Sequence, residues 1–246
     1  MIEELLEPGT VAVETFGDEP GALADLFPEE ALLVEGAQAG RRGEFATVRR
    51  CAHEALGKLG AEPAPILRDP KGAPRWPAGF VGAMTHCEGY RAAVVAPADR
   101  AAAIGIDAEP NRPLRSAGVA ELVTVEAERA WLPSLAARRP DVQWERLVFS
   151  AKESVYKVWY PLTGRWLDFE DAEITVDPAW STFRARLLVP GPVVGGVRLD
   201  TFHGSWLVRD GLIVTAITIP APTPALAAPG PSAGRWAGDD PTVGGA

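Results

Sequence analysis

At 246 residues the chain makes one large domain or two small ones, and 47% hydrophobic with 23% charged residues is the composition of a globular protein that buries a core. No stretch approaches the roughly 18 uncharged apolar residues of a membrane span, which excludes an integral helical membrane protein. The 24 basic and 33 acidic residues leave a net charge of −9, which argues against a general nucleic-acid binder. The start, Met1-Ile2-Glu3-Glu4, has acids where a signal peptide needs a basic flank. Two cysteines, Cys51 and Cys87, cannot build a disulfide scaffold, and a cytoplasmic location is expected.

Taken in order, the first strong pattern is helical. Phe45, Val48, Ala52, Leu56 and Leu59 recur at helix spacing over Arg41–Leu59, and Gly60 and Pro63 stop it. Strands follow at Phe80–Met84, Tyr90–Ala96 and Ala102–Glu109. An Arg-, Pro- and Ala-rich excursion, helical or irregular, runs from Asn111 to Asp141. A second and stronger helical stripe combines Trp144, Leu147, Val148, Ala151, Val155, Val158 and Trp159, and Pro161 is expected to end it. Strands follow at Ala172–Val176, Thr182–Val189 and Val197–Phe202, then at Ser205–Ile219, where Asp210-Gly211 signals a two-residue hairpin. The last stretch is a Pro/Gly/Ala-rich tail without apolar period, expected to be disordered. The order helix then strands occurs twice. We therefore expect an α+β protein of two similar halves, residues 1–102 and 103–220, with a tail at 221–246 and a ligand cleft between the halves. Trp144, Trp159 and Trp166 are expected in the core.

Three acids stand out. In Ile104-Gly105-Ile106-Asp107-Ala108-Glu109 the two acids are a strand period apart and project together, just before Pro110. Converging carboxylates attract a hard cation, and Mg²⁺ suits few carboxylates plus phosphate oxygens, although D-x-E alone equally describes a solvated strand edge. The third acid lies mid-helix in Ser150-Ala151-Lys152-Glu153-Ser154-Val155-Tyr156-Lys157. Glu153 and Lys157 share a face, as any surface i,i+4 pair would, and Lys152 points about 100° away. Together, acids and lysines are what phosphoryl transfer needs: metal ligands, a base and fixed positive charge. His53, His86 and the two cysteines lack a C-x-x-C and do not suggest zinc. No G-x-S-x-G elbow is present.

The pair Gly105-Ile106-Asp107-Ala108-Glu109 and Phe149-Ser150-Ala151-Lys152-Glu153-Ser154-Val155-Tyr156-Lys157 resembles the signature of the Sfp-type 4′-phosphopantetheinyl transferases. Arg41-Arg42-Gly43-Glu44-Phe45, Pro74-Arg75-Trp76-Pro77, Thr85-His86-Cys87 and Arg165-Trp166-Leu167-Asp168-Phe169-Glu170-Asp171-Ala172 resemble the actinobacterial subgroup that modifies polyketide and peptide synthetases. The resemblance covers roughly residues 20 to 219. It implies an intramolecular pseudo-dimer with the active site between the halves. It also implies transfer of phosphopantetheine from coenzyme A to a serine of an acyl or peptidyl carrier domain of polyketide, peptide or fatty acid synthases, releasing adenosine 3′,5′-bisphosphate.

By the same resemblance Asp107, Glu109 and Glu153 hold Mg²⁺, with Mn²⁺ able to substitute, and Glu153 is the base for the carrier serine. Lys152 and Lys157 contact phosphates, and Lys157 stabilises the departing bisphosphate. Arg41 and Arg49 grip the 3′-phosphate. Arg42 is an open alternative to Arg41, because its seven-residue spacing from Arg49 shares a helix face more closely. Arg68 stands where close relatives carry lysine, and His86 matches a histidine near the phosphates. No nucleic-acid or membrane partner is expected, and an internally paired fold is expected to act as a monomer. The rivals are a metal-dependent nuclease and a catalytically silent coenzyme A- or carrier-binding module. The excursion's Arg112, Arg115, Arg129, Arg138 and Arg139, with Leu114, Val119, Leu122 and Trp131, are a candidate carrier-docking surface.

Overall fold

The computed structural model describes residues 1–222, so the tail expected at 221–246 lies almost wholly outside the described residues. The chain opens with a short 3₁₀ turn, Ile2–Leu5, and strand β1 (Val11–Phe16). Helices α1 (Pro28–Leu32) and α2 (Ala39–Lys58) follow, then the small strands β2 (Leu67–Arg68) and β3 (Pro74–Arg75), then β4 (Phe80–Cys87) and β5 (Tyr90–Pro97). The second part runs β6 (Ala101–Pro110), α3 (Ala117–Val123), α4 (Glu126–Arg138), α5 (Trp144–Thr163), β7 (Ala172–Asp177), β8 (Thr182–Leu187), β9 (Val193–Val194), β10 (Val197–Arg198), β11 (Thr201–Arg209) and β12 (Leu212–Pro220).

Two larger antiparallel sheets result, in the orders β1-β5-β4 and β6-β12-β11-β8-β7, with two-stranded ribbons β2-β3 and β9-β10 beside them. Their wiring is alike. In each, the opening strand pairs with the closing strand, β1 with β5 and β6 with β12, and one long helix lies across the sheet. The first strand of each unit is what the sequence pattern did not separate. β1 was not anticipated. The strand at Ala102–Glu109 follows the first helix in sequence, yet it forms the edge of the second sheet because its apolar partner, β12, is there.

Strand β5 explains the join. Its run Ala92-Ala93-Val94-Val95-Ala96 is fully buried, with no polar alternation. Ala93 and Val95 face α2, while Ala92, Val94 and Ala96 face Ile104, Ile106, Ala108, Val214 and Ala216 of the second sheet. A strand covered on both sides reads as a continuous apolar run. Ile2 caps this shared layer.

Several expectations change in detail. Pro161 lies inside α5 rather than ending it. It sits in the last turn, and Gly164 closes the helix in the left-handed conformation at φ +65°. Asp210 and Gly211 both take positive φ, +52° and +76°, which is the two-residue hairpin turn expected between β11 and β12. The expected strand Val197–Phe202 is divided between β10 and the start of β11. The excursion contains two helices, α3 and α4. Trp144 and Trp159 are buried, but Trp166 is 64% exposed and is not a core residue. No helix among the described residues is long and apolar enough to cross a membrane.

Candidate active site

Strand β6 and helix α5 bring the two halves of the chemistry together. On β6, Ile104, Ile106 and Ala108 turn into the layer between the sheets, so Gly105, Asp107 and Glu109 turn toward α5. The helix can come this close only because residue 105 is glycine. A Cβ there would stand 2.0 Å from the Ser154 carbonyl oxygen. Behind the contact, Ser150 and Ser154 hydroxyls share hydrogen bonds of 3.0 and 2.7 Å with Thr215 Oγ1 on β12, fixing the helix in register. Gly105→Ala should therefore push α5 off the sheet and cost about 2–3 kcal/mol, read as a lower denaturation midpoint, with transfer falling further than stability. A variant with unchanged stability and rate would show that the contact is not needed.

The close approach lets Lys157 Nζ donate to Asp107 Oδ1 and to the Ile106 carbonyl, each at 2.9 Å. Thr85 of β4 donates to the same Asp107 Oδ1 at 3.3 Å and accepts from the Ala108 amide at 3.1 Å. Asp107 Oδ2 is buried and has no hydrogen-bond partner. Glu153 is one helical turn before Lys157. Burial raises its carboxyl above the usual range, and the neighbouring Asp107 and Glu109 charges add to the rise. Glu109 is raised by burial and by the Asp107 charge, although Arg146, also on α5, donates to it at 2.8 Å and opposes the rise. The carboxylates thus repel one another without a full counter-charge, and one buried oxygen is orphaned. Both features suit a hard cation bound through oxygen. Among the described residues no three His, Cys, Asp or Glu side chains form a ready-made metal cage. An ion here would draw its remaining ligands from substrate oxygens or water.

Beside Glu153 and Lys157 lies a cleft of about 400 Å³ between α5 on one side and α2 with the β2–β3 hairpin on the other. Glu153, Tyr156, Lys157 and Tyr160 line one side and Arg41, Phe45, Arg49, Arg68, Lys71 and His86 the other. Arg49 is 3% exposed, its guanidinium lies 4.7 Å from the Phe45 ring centre, and its buried Nε has no hydrogen-bond partner. Burial lowers it to about 10, with Arg68 adding to the fall and Glu30 opposing it, so it stays charged at neutral pH. Arg68 is lowered by burial and by Arg41. Arginines that depress one another are a site prepared for an anion. Arg41 Nη1 lies 2.7 Å from His86 Nε2, and burial and the Arg41 charge lower the imidazole. A neutral His86 accepts from Arg41 there.

The placement divides the sequence candidates. Arg41, Arg49, Arg68, His86, Glu153 and Lys157 line the cleft. Asp107 and Glu109 do not line it; Asp107 is joined to it through its 2.9 Å ion pair with Lys157, and Glu109 lies two residues further along β6. Arg42 is exposed and outside the cleft. Lys152, expected at the phosphates, does not line the cleft: its Nζ donates to the Val123 and Phe169 carbonyls at 2.8 Å and pairs with the fully buried Glu128 at 2.9 Å. Arg146, Thr85, Lys71 and Tyr160 were not singled out in the sequence. Only Arg146 carried a signal, two helical turns before Glu153 on the same face.

Comparison with known proteins agrees on both parts of the chain. Residues 29–96 match the 4′-phosphopantetheinyl transferase N-terminal domain, and residues 103–204 match the 4′-phosphopantetheinyl transferase superfamily. The chain is 56% identical over 245 residues to the 4′-phosphopantetheinyl transferase Svp of Streptomyces mobaraensis, covering 99% of each. It is 46% identical over 210 residues to PptT of Mycobacterium tuberculosis, covering 84% of this chain and 90% of that one. With Npt of Nocardia iowensis the identity is 44% over 225 residues, covering 88% and 99%.

Proposed function

The chain belongs to the 4′-phosphopantetheinyl transferase superfamily, and from that premise we propose how its own residues carry out the transfer. The family moves phosphopantetheine from coenzyme A to carrier proteins, and this chain is a transferase of that kind. The observation that carries the residue assignment is one cleft with the arginines of α2 and β2 on one side and Glu153 with Lys157 on the other, where Lys157 is hydrogen-bonded to Asp107 behind it. Coenzyme A has the matching polarity: a 3′-phosphate on the nucleotide and a pyrophosphate at the reacting end.

Arg49 and Arg41 hold the 3′-phosphate, with Arg68 and His86 beside them. Glu153 accepts the proton of the carrier serine hydroxyl, and its raised affinity for protons suits a base. The serine oxygen forms the new bond to the β-phosphorus of coenzyme A. The bond from that phosphorus to the bridging oxygen breaks, and the bisphosphate leaves with its electron pair. Lys157 places positive charge beside the leaving group. Mg²⁺, for which Mn²⁺ can substitute, would be held by Asp107, Glu109 and Glu153, and supplies charge neutralisation on the pyrophosphate. We take residues 1–102 and 103–220 as the two halves and the enzyme as a cytoplasmic monomer.

Incubation of the chain with coenzyme A and a panel of apo carriers from fatty acid, polyketide and peptide synthases, read by intact mass, tests the activity and its breadth. No mass gain on any carrier would leave a silent binding module. Arg49→Ala should weaken coenzyme A about tenfold or more while barely changing dephospho-coenzyme A, because the lost charge-assisted bond is to the 3′-phosphate. Equal weakening of both would remove Arg49 from that role.

For the carrier, the excursion offers less charge than its arginines suggest. Arg129 turns inward to Thr124, Arg139 pairs with Asp141 at 2.8 Å and Arg112 with Glu88 at 2.7 Å. Leu122 is 71% exposed on α3. We propose that Arg112, Arg115 and Leu122 receive the carrier. Charge reversal at Arg112 and Arg115 should raise the carrier KM by up to about tenfold with coenzyme A affinity unchanged. Unaltered carrier kinetics at low salt would move the docking surface elsewhere.

A further inference from the structure

The hairpin of β2 and β3 carries cleft cations but has little of its own to hold it. Its strands are two residues each and pair only with one another. A ribbon of that size is not stable alone, so its position is set by what it touches. On the side of α2, the Arg68 guanidinium lies 5.1 Å from the Phe45 ring centre. On the other side the turn reaches across the cleft to the second half. The Tyr160 hydroxyl of α5 donates to Asp69 Oδ2 at 2.5 Å, and the Lys71 ammonium stands 5.9 Å from the Tyr160 ring centre.

Asp69 organises the turn. Its Oδ1 accepts the Lys71 and Ala73 amides at 2.9 Å each, and its carbonyl accepts the Gly72 amide at 3.0 Å. The Tyr160 hydrogen bond, with the turn amides, holds the Asp69 carboxyl below the usual range, so it is a charged acceptor. Tyr160 is itself steadied by Tyr156 one helical turn away, with ring centres 6.0 Å apart, and Tyr156 in turn packs on Trp166 at 5.2 Å. A single phenol thus joins the turn to the helix that bears Glu153 and Lys157.

We propose that Tyr160 is a positioning residue for coenzyme A: its hydroxyl straps the β2–β3 turn across the cleft and so places Arg68 and Lys71 against the ligand's anionic groups. The inference rests on the coenzyme A reading above. Tyr160→Phe keeps the ring, the stack on Tyr156 and the surface beneath Lys71, and removes only the hold on Asp69.

The test uses the full chain, with Tyr160→Phe, Lys71→Ala and the double variant. Coenzyme A is titrated by calorimetry without carrier, amide hydrogen exchange of residues 66–76 is followed in the free protein, and the carrier KM is measured separately. Tyr160→Phe should speed exchange in the turn and weaken coenzyme A about fivefold, with the loss absent from the carrier KM. In the Lys71→Ala background the same change should cost less, since part of what the hydroxyl positions is gone. Unchanged coenzyme A affinity in Tyr160→Phe overturns the proposal. So does full additivity in both readouts, or a carrier KM that rises as much as coenzyme A affinity falls. A native chain that does not bind coenzyme A overturns the underlying reading instead, a result the wild-type titration shows before any variant is compared.

Discussion

Asp107→Asn and Glu153→Gln should each lower transfer by about 10²–10³-fold or more while the chain still folds. Asp107 presents a buried, unpartnered Oδ2 beside two other carboxylates, the position proposed above for the cation. Asparagine keeps the shape and one acceptor for Thr85 but loses the charge. Glutamine at 153 cannot take the serine proton. Glu153→Gln removes a charge that burial and its acidic neighbours already disfavour, so thermal melting should show a protein at least as stable as the native chain without metal; Asp107→Asn also gives up the ion pair with Lys157, and the same melt checks that its fold is kept. Glu109→Ala should hurt less, because Arg146 already engages that carboxylate at 2.8 Å. The measurement is kcat/KM on an apo carrier at saturating Mg²⁺. Near-native turnover in Asp107→Asn would remove the cluster from the reaction.

Lys152→Ala should lose about 3–5 kcal/mol of folding stability, because it strands Glu128 in the core without its counter-ion. Glu128 also accepts the Ile174 and Val125 amides at 2.6 and 2.8 Å, so the pair ties α4, α5 and β7 together. Replacing both members with apolar residues of similar volume, Lys152→Met with Glu128→Leu, should recover much of the loss. Denaturant unfolding reads the stability, and calorimetry below the unfolding range reads coenzyme A. Coenzyme A affinity should be near native in the double variant. If stability holds and coenzyme A weakens, Lys152 is a phosphate contact after all, as the motif suggested.

These two residues mark where reading the chain succeeds and where it stops. Asp107 and Glu109 were legible as neighbours because a strand has a period of two, and Glu153 with Lys157 because a helix returns every three to four residues. Arg49 was legible only through the family resemblance, since one more arginine on a helix carries no local signal. Lys152 differs from Glu153 by one position, a rotation of about 100°, and no local pattern says which side of α5 meets the cleft and which meets α4. The acid that claims it, Glu128, lies in the excursion, where the sequence has no clear period.

The sequence by itself determined the α+β class, the two long helices, the central strands, the β11–β12 turn and the family, because each depends on local periodicity or on a contiguous motif. The tertiary structure alone decided that β6 pairs with β12 at the edge of the second sheet, since strand pairing is set by which apolar faces meet and not by order along the chain. It decided that Arg41 rather than Arg42 enters the cleft, that Trp166 stays exposed, and that Lys152 is buried. It also decided that a short hairpin is strapped to α5 by Tyr160, because that bond joins residues from different halves whose separation in sequence carries no signal.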